Sequence, residues 1–189
     1  MIISCRNQWS RSHMVFDGHW KWEVQKLSWE VSLWRKLLFP SEYAQHRLNR
    51  AILYSATILR KIIEDETEAV AILKKNGAKP PHPMLSHKLL VETKLPAIRY
   101  PYTGQEGWSL RSKLCPEDYG SGIKVELSAK DVCNWLLHSY IWSLAWNSDK
   151  KSYAGFFVAS DFDREKYVHA IHLSDWQTVL RLCVDESAF

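Results

Sequence analysis

The chain of 189 residues is short of glycine and proline, with seven of each, and has only four cysteines. No two cysteines form a C-x-x-C pair, so a zinc ribbon or a thioredoxin-like redox site has no basis. Their spacing does not resemble a disulfide framework either. There is no Gly-rich phosphate loop and no G-x-S-x-G elbow, which leaves P-loop and α/β-hydrolase chemistry without a motif. No run approaches the roughly 20 apolar residues of a spanning helix. The opening "MIISCRNQW" turns polar too soon for a secretory signal. A reducing cytoplasm, no membrane partner and no cofactor are therefore expected. Repeats of 20–50 residues and low-complexity tracts are missing as well, which excludes a solenoid.

What the chain does have is tryptophan. Ten Trp stand in an otherwise ordinary balance of 46% apolar and 24% charged residues. Each is large and carries one N–H that needs a partner when buried, so most are expected in the core. The net charge of +4 is mildly basic. It permits contact with nucleic acid without demanding it, because the Lys and Arg are scattered. The length fits one domain, residues 1–189, large enough to bury a core without staples.

Residues 1–18 read as irregular, with Asp17-Gly18 as a turn signal. From His19 to Phe39 the apolar positions Trp20, Val24, Leu27, Val31, Trp34 and Leu38 recur at helical spacing. Trp22, Trp29 and Leu33 widen that stripe, so the helix is either covered on two sides or offers a face to a partner. The excess on residues 20–38 predicts a homodimer. Ser41 then caps a long helix that reaches Asn76-Gly77, with Leu48, Ile52, Ser55, Leu59 and Ile62 as one stripe. Arg47, Arg50, Tyr54, Thr57 and Lys61 form another. The acidic run Glu64–Glu68 is expected to break this helix in two. Residues 78–122 are Pro-rich at the start and loop-like at the end, with short strands in "KLLVETKL" and "AIRYPY". After them come a strand "IKVEL", a helix capped by Ser128, strands "IWSLAW", "YAGFFVAS" and "KYVHAIHL", and a closing helix capped by Ser174. The expected fold class is α+β: a helical hairpin core with a small, three-stranded antiparallel sheet.

The candidate chemistry lies in "SAKDVCNWLLHSYIWS", residues 128–143. Asn134 and His138 stand four apart and share a helix face, and Asp131 lies on the same row. An imidazole can take and give a proton near neutral pH. The competing reading is a helix-end histidine that serves packing alone.

With these residues in view, "CNWLLHS" and the long helix before it resemble HEPN domains, helical modules of many prokaryotic toxins and phage-defence ribonucleases. Their motif is Arg-x-x-x-x-His, often written RNxxxHS. Asn134, His138 and Ser139 match it, while Cys133 stands where the motif has Arg. The resemblance covers about residues 41–77 and 128–140. It implies a metal-independent endoribonuclease that binds or cleaves RNA or nucleotide, with His138 as general acid or base and Asn134 orienting substrate. The motif Arg would steady the phosphate, which Cys cannot do. Arg50 is the substitute cation expected here, with Arg47 beside it and Tyr54 one turn on; Asp131 and Ser139 complete the substrate-binding candidates. "NRAILYSATILRKIIE", "NWLLHSYIW" and "FFVASDFDREKY" also resemble a group of small bacterial proteins.

Other sites are weaker on the residues alone. Arg6…His13 and Arg164…His169 also fit an Arg-x(4–6)-His pattern, but neither lies in a helical context. His169 and His172 stand three apart on a strand and face opposite sides, so no shared metal is expected. Cys133 and His138 are five apart on a helix and point away from each other, which disfavours a Cys–His pair. The alternative to the ribonuclease reading is a non-catalytic interaction or regulatory protein, with the Trp-rich helix as partner face.

Overall fold

The computed structural model describes residues 6–77, 92–103, 120–149, 151–163 and 166–184, with backbone alone at 6–19, 65–70, 73, 140 and 141. Two long helices come first, α1 (Arg6–Arg35) and α2 (Glu42–Lys75). Then follow β1 (Lys94–Pro101), β2 (Ile123–Ser128), the short helix α3 (Ala129–Leu137), β3 (Ser139–Trp146), β4 (Tyr153–Ser160), β5 (Tyr167–His172) and the closing helix α4 (Leu173–Leu182). The class is α+β.

α1 runs through Asp17-Gly18, where a turn was expected. A helical Gly costs about 1 kcal/mol against Ala, which a long helix can absorb. The helix ends at Arg35, before the expected Phe39. Phe39 sits at φ 52, a left-handed value that a bulky residue rarely adopts. Its N–H donates to the Lys151 carbonyl oxygen at 2.6 Å, which ties the end of α1 to the β3–β4 turn. α2 starts as expected, with Ser41 Oγ accepting from the Ala44 N–H at 3.3 Å. It passes unbroken through Glu64–Glu68 and stops before Gly77, at φ 67. Acidic residues leave every backbone hydrogen bond available, so nothing in that run obliges the helix to end.

The sheet is larger than expected. All five strands pair antiparallel in the order β2-β1-β5-β4-β3. Residues 94–101 form one strand, while 88–91 lie outside the described residues. β1 joins the β2 edge to the three C-terminal strands. The sequence pattern divided this strand between "KLLVETKL" and "AIRYPY", because Pro96 interrupts it.

Alternate strand positions face the helices. Leu95 and Ala97 of β1, Phe156 and Val158 of β4 and Ile171 of β5 are buried in one cluster with Leu48, Ile52 and Leu59 of α2. α4 inserts Trp176, fully buried, whose indole N–H donates to Ser55 Oγ at 3.0 Å. Ser55 in turn donates to the Ile52 carbonyl at 2.8 Å. This explains a serine in the apolar stripe of α2: it is the partner of a buried indole. Ser174 is not the cap of α4. That helix begins at Leu173 with His172 before it and no side-chain cap.

The antiparallel register brings Pro101, Ile123, Ser139, Ser160 and Tyr167 to one end of the sheet. β2 and β3 run in the same direction at opposite edges, and α3 is the crossover between them. It starts at Ser128, paired with Lys94 at the far end, and delivers His138 to the end that holds Ser139.

A candidate Arg–His site at the end of helix α3

α3 forms because Ser128 caps it: its hydroxyl accepts from the Asp131 N–H at 3.1 Å and donates to the Asp131 carboxylate at 2.6 Å. Ala129, Val132, Cys133 and Leu136 are buried and fix its rotation. The helix stops at Leu137, sooner than expected. His138 is its C-cap, its N–H donating to the Asn134 carbonyl at 3.0 Å. Ser139 is therefore the first residue of β3, and its hydroxyl donates to the Leu136 carbonyl at 3.2 Å.

His138 is exposed, and Arg60 of α2 reaches it. The Arg60 Nη1 to His138 Nε2 distance is 2.9 Å. A guanidinium has no acceptor, so in this contact Arg60 donates and His138 Nε2 accepts. Arg60 is aimed by Glu64, one turn on, through an ion pair of 2.6 Å between Nε and Oε1. The Cys133 side is closed to chemistry. Burial pushes its thiol from 9.0 up to about 12, against a smaller pull from the nearby Arg60 charge. At neutral pH it is a core thiol, not a nucleophile.

The cation expected at this histidine was Arg50. Arg50 precedes Arg60 by ten residues, about 15 Å along α2, and is exposed there. Tyr54 is also exposed, six residues before Arg60. Arg47 is held by α1, donating to Glu30 Oε1 at 2.8 Å across the helix pair. Asp131 belongs to the cap. Asn134 is partly exposed on the same face as His138. Of the sequence candidates, then, Asn134 and His138 are joined through the backbone bond at the helix end, and the side-chain partner that sequence reasoning missed is Arg60. Its signal was present in "LRK": one turn before Glu64 and on the row that continues from Thr57 and Ala56.

A second Arg–His pair stands at the same end of the sheet. Arg99 of β1 donates from Nε to His169 Nε2 of β5 at 3.1 Å. Its guanidinium lies over the Tyr167 ring, 4.6 Å from the centroid. Trp135 of α3 stacks flat on the His169 imidazole, centroids 4.4 Å apart and planes 8° from parallel. Burial, and then the Arg99 charge, lower His169 from the usual 6.5 to about 4, with Asp163 opposing them. Burial raises the Asp163 carboxyl, but bonds from Ser160, Tyr167 and Lys166 outweigh it and hold the group below its usual range. Among the described residues no three His, Cys, Asp or Glu converge. Arg164, and the side chains of Arg6 and His13, lie outside the described residues.

Comparison of the chain with protein-family models, curated proteins and solved structures finds no significant match. Among the described residues no helix is long and apolar enough to cross a membrane.

Proposed function

We propose that this protein binds RNA at the exposed end of α3 and cleaves it as an HEPN-like, metal-independent endoribonuclease. The observation that carries the reading is the Arg60–His138 contact of 2.9 Å. The motif cation missing at Cys133 is supplied from α2, next to the same histidine. In this reading a phosphodiester displaces Arg60 from the imidazole and takes its N–H groups. His138 Nε2 accepts the proton of the adjacent 2′-hydroxyl. The 2′ oxygen attacks phosphorus, the bond to the 5′ oxygen breaks, and His138 returns the proton to that leaving oxygen. The products are a 2′,3′-cyclic phosphate and a 5′-hydroxyl. Arg60 stabilises the extra negative charge on phosphorus, and Asn134 positions the substrate. The test is cleavage of end-labelled single-stranded RNA with analysis of the new ends. Cyclic phosphate ends are expected, and Arg60→Gln lowers the rate by roughly 100-fold, the scale of a lost charge-stabilising donor. Products ending in 3′-hydroxyl would refute the mechanism.

A second reading rests on α1. At ~100° per residue, Trp22, Trp29 and Leu33 share one face, opposite the buried Val24, Leu27 and Val31. Trp22 and Trp29 are 56% and 64% exposed, and Lys26 lies over the Trp22 ring at 5.4 Å. A helix with two opposed apolar faces uses one for its own core and leaves the other for a partner. A second copy of the chain, packed α1 to α1, would cover it.

A further inference from the structure

Arg99 presents a guanidinium that is held by two neighbours and, among the described residues, only partly engaged. Its Nε is bonded to His169 and its guanidinium carbon lies over the Tyr167 ring, whereas neither terminal nitrogen forms a hydrogen bond among the described residues. The anchor itself is fixed. His169 is 1% exposed, clamped by Trp135, and neutral at physiological pH, so its Nε2 lone pair is always available to Arg99. Such a fork is the side chain suited to phosphate, because little rotamer freedom remains to be lost on binding. Fold topology also places it. Arg99 lies on β1 and His138 at the start of β3, at the same end of the sheet and separated by β5 and β4. Three strand spacings separate them by ~14 Å across the sheet, and along the strands Arg99 stands level with Trp142, four residues beyond His138. Trp135, three residues before His138 on α3, lies between the two pairs.

Resting on the RNA reading of the Arg60–His138 site, we infer that Arg99 is a second phosphate subsite for the same strand. The substrate is then a single-stranded oligonucleotide that spans several phosphates, not a mononucleotide or dinucleotide. His169 and Tyr167 are positioning residues for that subsite.

The test uses the full chain and 2′-O-methyl oligouridylate, which cannot be cleaved by attack of its own 2′ oxygen. Binding of a labelled strand of about 12 nucleotides and of the dinucleotide is followed by anisotropy at several salt concentrations. The longer strand is expected to bind more tightly. Arg99→Gln should weaken it about tenfold and lower the slope of log K against log salt by ~0.7, one phosphate contact on a single strand. The dinucleotide should be unaffected. Arg60→Gln should weaken both. Arg99→Lys, which keeps the charge and loses the fork, should retain the salt slope with a severalfold lower affinity. It serves where the glutamine variant melts early. If Arg99→Gln and Arg99→Lys bind the longer strand as the wild type does while Arg60→Gln loses both probes, the subsite is overturned and the RNA reading stands. If the wild-type chain binds neither probe, the RNA reading fails and the subsite with it.

Discussion

The buried imidazole of His169 converts pH into stability. Its value falls from the usual 6.5 to about 4 because burial, and after it the Arg99 charge, disfavour the imidazolium. Above pH 6.5 the ring is neutral in both folded and unfolded chains, and the full stability is present. As pH falls below 6.5 the unfolded chain takes up the proton first, so stability declines until about pH 4 and then levels off for this group. A displacement of that size corresponds to on the order of 3 kcal/mol. Asp163 acts in a lower window: its contribution is present above the ordinary carboxylate value and is lost as pH falls through and below it. Urea midpoints measured from pH 7.5 to 4 should therefore fall in the wild type. His169→Gln keeps an acceptor for Arg99 but cannot titrate, so its midpoints should stay nearly flat above pH 4. Equal slopes in the two proteins would assign the loss to other groups.

Among the elements, β4 and β5 approach closely at Gly155. A Cβ at Gly155 would run into the Ile171 carbonyl oxygen and crowd His172. Gly155→Ala should destabilise the fold by about 2–3 kcal/mol, in the range of overpacked cores, as read by thermal melting with circular dichroism. A loss under about 0.5 kcal/mol would mean that the strands part easily there. The same elements show what the sequence could convey. The caps of α2 and α3 were legible, because Ser41 and Ser128 make local bonds to residues three positions on, whereas the expected cap Ser174 lies inside α4. Strands β3 to β5 were legible from their alternation. β1 was legible only as two short strands, because Pro96 splits its pattern, and its place in the sheet was not, because its partners β2 and β5 are distant in sequence. The site was half legible for the same reason. Asn134 and His138 lie one turn apart, but Arg60 is 78 residues from His138 and only packing of α2 on α3 brings it there. Arg50 and Arg60 share a helix and a chemistry, and nothing local tells which one faces α3.

For the molecule as a whole, the distribution of tryptophan separates core from surface. Trp176 is buried, and Trp20, Trp34, Trp135 and Trp142 pack against the core. Trp22, Trp29 and Trp146 are exposed, and two of them lie on the outer face of α1. If that face holds a second copy, light scattering at micromolar concentration should give a dimer for the wild type and a monomer for Trp29→Glu, with the same melting curve for the dilute chains. A wild-type monomer would rule out this dimer. In the proposed reaction the whole molecule serves one group, His138, which moves the proton in RNA cleavage. Its most direct measurement is chemical rescue: cleavage of single-stranded RNA by the wild type and by His138→Ala, with a chelator present, before and after adding imidazole. Cleavage by the wild type, none by the variant, and recovery when imidazole fills the vacated place are expected. Cleavage by His138→Ala at the wild-type rate, or none by either protein, would contradict that role.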